Sequence, residues 1–335
     1  MIGRAPKLRY GYASGRVGVL RTRLISRARF HRIIAGENLA EIMTVLSETV
    51  YGGGPRDITD LEGLENLVAE ELAETYRLLE DSNLPPEMSV WFRSRHDFVN
   101  LRALLKSGFG EELDVRLSSL GTVSASTIET LVKTRSFSGF PPTLAAAAEA
   151  AVTVFNETKN SETIDIVLDR HHFAQLLSLA ERIKSVWVLD YTRLLVDLAN
   201  ARIVFRSQAE ERSLSYIASR LISGGRVAEG DWEVAAAAGT VMNQLLKVLP
   251  PRASGLRLVG GDTHSLPVSE FDLFADAVSR SYLSDAQMTA FGPEPVFAYI
   301  ADHELETKLL RLIVIGRVNG VSADILQHRV DSTYE

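Results

Sequence analysis

One stretch of this chain occurs three times, and repetition on this scale fixes architecture before any single residue does. The first copy reads Asp97-Phe98-Val99-Asn100-Leu101-Arg102-Ala103-Leu104-Leu105-Lys106-Ser107. The second reads Asp197-Leu198-Ala199-Asn200-Ala201-Arg202-Ile203-Val204-Phe205-Arg206-Ser207. A looser copy begins at Glu306 and carries Leu310-Arg311-Leu312-Ile313-Val314. Each has an acidic residue, an Arg five positions on, and an apolar run. A repeat of this kind makes each copy one structural unit, stacked on or fused to its neighbours. Units of roughly one hundred residues are ordinary domain sizes. The chain of 335 residues divides on this basis into 1–110, 111–215 and 216–335.

Proline placement predicts what those units are made of. It falls at Pro6, Pro55, Pro85-Pro86, Pro141-Pro142, Pro250-Pro251, Pro267, Pro293 and Pro295, with long proline-free stretches between. Proline interrupts helices, so the stretches it spares are helix candidates. In the second unit Ile164, Val167, Leu168, Leu176, Leu177 and Leu179 recur at helical spacing, and strand-type alternation is hard to find anywhere. The expected fold class is all-α. Thr59-Asp60 opens a helix over Leu61 to Leu79, which Asn83-Leu84-Pro85-Pro86 ends. Asn156 to Asn160 reads as a loop, with Ser161 and Glu162 opening the next helix. Gly224-Gly225 and Gly260-Gly261 read as loops or helix ends. Ser322 caps a last helix from Ala323 to Val330. Ala145 to Ala151 reads as a tightly packed helix, because alanine combines the best helix propensity with a small side chain.

Composition closes several routes to function. A net charge of −7 argues against general nucleic-acid binding, which needs a basic surface. The charge is uneven. The basic residues of Met1 to Gly36 include Arg4, Lys7, Arg16, Arg21, Arg23, Arg27, Arg29 and Arg32, with no acidic residue. Glu62 to Asp81 is the reverse, with Arg77 as its one cation. Two solvated helix faces account for this, and so does a charged docking surface, with Arg16, Arg21, Arg23 and Arg27 as its candidates. There is no cysteine, which removes disulfides, thiolate nucleophiles and Cys-based zinc sites together. The N-terminus has no apolar core of a secretory signal, and no run of about 18 apolar residues exists to span a bilayer.

No catalytic template fits. Gly52-Gly53-Gly54 lacks the Gly-Lys-Ser/Thr ending of a phosphate loop. His303-Glu304 starts like a zinc-protease helix, but Thr307 stands where the second His belongs. His171 and His172 are adjacent and diverge on a helix. Asp97, Asp197 and Glu306 each lie near an Arg of their own repeat, which favours a helix-start or ion-pair role over a carboxylate cluster. Asn100 and Arg102, like Asn200 and Arg202, are two apart and point to different faces. One is expected to satisfy a neighbouring loop's backbone and the other to pair with a carboxylate. No enzyme, cofactor or metal is called for.

With those residues in view, the chain resembles the C subunits of A/V-type rotary ATPases, whose counterpart in the eukaryotic vacuolar enzyme is the d subunit. Tyr10-Gly11-Tyr12-Ala13-Ser14-Gly15-Arg16-Val17, leading to Leu24 and Phe30, is similar to the family's N-terminal Tyr-x-x-Ala/Ser segment. Leu46-Ser47-Glu48-Thr49-Val50-Tyr51-Gly52-Gly53 is similar to its Leu-x-x-Thr-x-Tyr element. The three acidic-to-Arg segments follow, and then Glu306 to Gly320. Leu309 replaces Asn in the third copy, Ala201 replaces Leu in the second, and Ser207 to Gly261 matches weakly. The resemblance implies three similar helical bundles around a pseudo-threefold axis, forming a funnel or socket. It implies no catalytic residue. Its implied partners are the central-stalk subunits and the membrane rotor ring, with torque passing between them to couple ATP chemistry to proton or sodium transport. It implies a peripheral position on the cytoplasmic side, touching the membrane through the ring. A free-standing helical-repeat adaptor is the competing reading.

Overall fold

The computed structural model describes residues 4–52, 58, 60–81, 84–112, 116–251, 253 and 267–334. Gly53, Gly54, Asn83 and the Gly260-Gly261 pair lie outside them. The described residues contain fifteen α-helices and a few single 3₁₀ turns joined by loops, with no strand among them. The chain is all-α.

Two compact units are present. The first combines Met1–Leu84 with Leu246–Glu335; the second is Pro85–Leu245.

In the second unit, α5 (Pro86–Gly108), α6 (Ala125–Lys133), α7 (Pro142–Thr158) and α8 (Glu162–Ile183) form one bundle. α9 (Val186–Ala209) packs on α8 and carries α10 (Leu214–Ala218) and α11 (Glu229–Ala238), and α12 (Val241–Leu246) follows. Helix starts are written in the sequence. Pro86 and Pro142 occupy first-turn positions where a missing N–H costs nothing. Ser124 and Ser185 accept amide N–H bonds at the starts of α6 and α9. α7 ends at Lys159 and α8 at Lys184, both in the left-handed region. The expected loop from Asn156 is therefore shorter, because α7 continues through Thr158. Ala147, Ala148 and Ala151 are buried in the core with Phe98, Leu101 and Leu168, so α7 is as closely packed as its alanines predict.

In the first unit, α14 (Pro293–Val318) is the central helix. Around it pack α1 (Arg4–Arg21), α2 (Arg27–Ala35), α3 (Leu39–Leu46), α4 (Leu61–Asp81), α13 (Val268–Asp285) and α15 (Ala323–Thr333). Residues 295–301 of α14 are buried without a break. A helix buried all round has no polar face to spare. Glu304 and Glu306, buried further along the same helix, need protein partners, because water does not reach them.

Candidate functional site

The repeated acidic residues sit well inside long core helices, not at helix starts. Asp97 lies on α5, Asp197 on α9 and Glu306 on α14, and all three are buried. Ion pairing is not what satisfies them. Each carboxylate accepts backbone N–H from a loop just ahead of a short helix: two groups at Asp97 and at Asp197, one at Glu306.

At Asp97 the loop is residues 118–124. Thr122 N–H donates to Oδ2 at 3.1 Å and Val123 N–H to Oδ1 at 3.0 Å, with the Thr122 hydroxyl adding a bond at 2.5 Å. Ser124 then caps α6. At Asp197 the loop is residues 221–227. Arg226 N–H donates at 2.9 Å and Val227 N–H at 3.2 Å, and α11 begins two residues later. At Glu306 the donor comes from the other end of the chain. Ile25 N–H donates to Oε2 at 2.5 Å, and Ser26 caps α2. The third copy is thus completed by the N-terminal segment, 281 residues earlier.

The glycines explain how close the loops come. A Cβ at Gly121 would lie 2.2 Å from Asp97 Oδ1, and one at Gly225 would lie 2.2 Å from Asp197 Oδ1. Only glycine admits the carboxylate there. In the third copy the register puts Arg23 at that place, and the acid is one methylene longer. Glu306 reaches past a position that Asp97 and Asp197 approach directly.

Asn100 and Asn200 form a second clasp on the same loops. Asn100 Nδ2 donates to Ser118 O and Ser118 N–H donates to Asn100 Oδ1, each at 2.8 Å. Asn200 does the same with Ile222, again at 2.8 Å twice. Leu309, the third-copy counterpart, is buried and makes no such clasp. Arg93 of α5 donates to Leu120 O and Gly121 O, and Arg170 of α8 to Leu221 O and Ser219 O. These arginines hold the carbonyl side of the loops whose amide side the carboxylates hold.

The repeat arginines face elsewhere. Arg102 pairs with Asp165 at 3.1 Å and with Asp169, both on α8. Arg311 pairs with Glu65 of α4 at 2.8 Å. Both groups of the Arg311 pair are partly exposed, so removing it is a small change. Arg311→Met is expected to lower stability by about 1 kcal/mol, read by urea unfolding. Arg202 lies on α9 and is engaged as well.

The candidate docking arginines are spread over α1, the following turn and α2. Arg16 and Arg23 are exposed and Arg21 is half-buried. Arg27 Nε donates to Asp331 Oδ1 at 2.7 Å, which ties α2 to α15. On α4 the exposed stripe is Glu62, Asn66, Glu70, Glu74, Arg77 and Glu80.

Glu306 has the most unusual surroundings. The Tyr51 hydroxyl lies 3.1 Å from Oε1, and His303 Nε2 lies 3.3 Å from the same hydroxyl. His303 Nδ1 meets the Thr75 hydroxyl at 2.8 Å. Burial pushes the Glu306 carboxyl up to about 8 and holds His303 down at about 4. Burial also raises Asp97 and Asp197, opposed by the backbone bonds they accept. The stability that Glu306 contributes is therefore full below about pH 4.5 and lost as pH rises to about 8. His303 contributes in the opposite sense, gaining stability from about pH 4 to 6.5. The two slopes oppose each other up to pH 6.5, and beyond it the Glu306 slope stands alone. Unfolding free energy is expected to fall by about 2 kcal/mol from pH 6.5 to 8, measured by urea titration at each pH.

No group of three or more His, Asp or Glu side chains among the described residues is placed to hold a metal ion. His172 is packed against Phe98, with burial holding its pKa down at about 3, and His171 Nδ1 meets Val167 O at 2.9 Å. A cleft of about 680 Å³ in the first unit is lined by Glu37, Asn38, Asp60, Glu62 and Arg317 among others. Several of those groups serve helix ends: Asn38 accepts from Glu41 N–H, Asp60 from Gly63 N–H, and Arg317 donates to Gly36 O. No helix among the described residues is long and apolar enough to cross a membrane.

These features define an all-helical protein whose buried polar residues fasten repeated loops to long helices. The chain belongs to the ATP synthase (C/AC39) subunit family, whose model matches residues 13–329. It is 24% identical to the C subunit of the V-type sodium ATPase of Enterococcus hirae, over 93% of this chain and 95% of that one. It is 18% identical to the C subunit of the A-type ATP synthase of Methanocaldococcus jannaschii, over 94% and 84%. The C subunit of a V-type ATP synthase from Thermus thermophilus is 26% identical over 59% of this chain and 63% of its own. The protein is a subunit of a V/A-type ATPase complex.

Proposed function

We propose that this chain is the non-catalytic coupling subunit of its rotary ATPase, a socket that receives the central stalk and rests on the membrane ring at the cytoplasmic face. The observation that carries this reading is the family match across nearly the whole chain, supported by a joint that recurs three times. Transmitting torque requires a body that does not shear. Fastening each short helix to a long core helix by buried hydrogen bonds supplies stiffness that apolar packing alone does not direct.

The three-bundle arrangement is part of the proposal, with a phase set by the joints. One bundle starts at α5, one at α9, and one at α14, the last being closed by the N-terminal helices α2 and α4. This phase differs from cuts at 110 and 215. Arg16 and Arg23 are proposed to face an acidic partner surface within the complex, and Arg27 is set aside because Asp331 holds it.

The test is retrieval of tagged chain from detergent-solubilised membranes. Catalytic and ring subunits are expected to come with it. Recovery of the chain from cytosol with neither would replace the rotor reading with a free-standing adaptor. Arg16→Glu combined with Arg23→Glu is expected to weaken recovery of the complex, most strongly at low salt.

A further inference from the structure

We propose that Glu306 is a proton-operated latch, fastening the N-terminal segment to the long helix α14 while neutral and loosening it when ionised. The comparison among the three joints carries this. Asp97 and Asp197 each receive two backbone N–H groups, and Arg93 and Arg226 add a favourable charge beside them, so both are equipped to be anions. Glu306 receives one N–H and faces one hydroxyl, at a position with no exposure to water. An anion so enclosed is costly, and a neutral acid is not.

The surroundings can satisfy the neutral form completely. The carboxyl O–H on Oε1 donates to the Tyr51 oxygen, Tyr51 O–H donates to His303 Nε2, and His303 Nδ1–H donates to the Thr75 oxygen. Ionisation releases one proton to solvent and reverses the row. His303 then carries its proton on Nε2, Tyr51 donates to the carboxylate, and Thr75 donates to Nδ1. The bonds survive this reversal, but a buried negative charge remains.

The other charged groups around the site do not neutralise it. From α13, Arg280 is paired with Asp302 of α14 at 2.9 Å and lies over the Tyr334 ring that follows α15. Asp302 and Glu71 of α4 add negative charge nearby, and Tyr299 of α14 is a neutral phenol. From α1, Arg16 is exposed, and Arg21 is half-buried with the charge of Asp302 acting on it. On α2, Arg27 and His31 both turn to Asp331, and on α3, Glu41 bonds its own helix start. Burial raises the carboxyl to about 8, so the latch works just above neutrality. The part released is α2 with its neighbour α3, since Ile25 N–H, Tyr334 O–H to Ile25 O, and the Tyr51 bond all meet at this point. The latch does not depend on the rotor reading.

Hydrogen exchange on the full chain tests it, with rates corrected for intrinsic pH dependence. Protection of the α2 amides from Phe30 to Ile34 is expected to fall roughly tenfold per pH unit between about pH 5 and 8 and to level off above that. The amides from Ile128 to Val132, next to the Asp97 joint, serve as the internal reference and are expected to hold. In Glu306→Gln the α2 amides are expected to lose this dependence. No fall in the wild-type chain, or an equal fall in the variant, overturns the latch. If the variant does not fold, carboxyl-labelled glutamate is followed by NMR in the wild-type chain. One glutamate titrating near pH 8 together with the exchange change supports the latch; all glutamates titrating below about pH 6 overturn it.

Discussion

Asn200→Ala is expected to destabilise the second unit by about 4 kcal/mol and to lower its melting temperature by about 10 °C. The side chain is fully buried, and both ends of its amide are committed to one residue. Its Oδ1 accepts Ile222 N–H and its Nδ2 donates to Ile222 O. Truncation leaves a backbone donor and a backbone acceptor without partners where water does not reach. Each such group costs about 1–3 kcal/mol, and the small void adds to the sum. Asn100→Ala removes the same pair of bonds from Ser118, but that residue is only partly buried and water replaces part of the loss. Its expected cost is about 2 kcal/mol. Calorimetry of the two variants side by side checks the claim. Equal effects would mean that burial of the loop is not what sets the cost.

That clasp is half visible in the sequence. The spacing from Asp197 to Asn200 places them in one turn of a core helix, and the division of labour between Asn and Arg follows from helical geometry. The helices themselves are legible because Pro86, Pro142 and the serine caps mark their starts by local chemistry. The partners of the repeated acids are not. Gly121 follows Asp97 by 24 residues and Gly225 follows Asp197 by 28, so no fixed spacing betrays the pair. A recurrent Gly-x-Val ahead of a short helix, Gly121-Thr122-Val123 and Gly225-Arg226-Val227, is the available signal. The third copy hides it, since Ile25 precedes Glu306 by nearly the whole chain and Arg23 stands in the glycine's place. Sequence points the acids towards arginine because charge is what a sequence displays. Backbone N–H groups have no letter of their own, and they are what the fold uses.

Two glycines five residues apart should respond to the same substitution with opposite sign. Gly225 lies against Asp197, and its new Cβ would sit 2.2 Å from Oδ1 and 3.0 Å from Cγ. The carboxylate has little room to retreat, because it is on a core helix and holds Arg226 N–H and Val227 N–H. Gly225→Ala must push the loop off the carboxylate, giving up those bonds. The expected loss is about 3 kcal/mol, from overpacking and from the unpaired groups together. Gly230 lies in the first turn of α11, and a Cβ there meets nothing within 4 Å. Its conformation is helical, so alanine reduces the freedom of the unfolded chain and adds helix propensity. Gly230→Ala is expected to stabilise the protein by about 0.5 kcal/mol. Urea unfolding of both variants decides between two accounts of the loop. If it is held by the carboxylate, only Gly225→Ala loosens it, and combining that change with Asp197→Ala adds little further loss because the two remove the same bonds. Additive losses would show that Gly225 is needed for a reason other than the approach of Asp197.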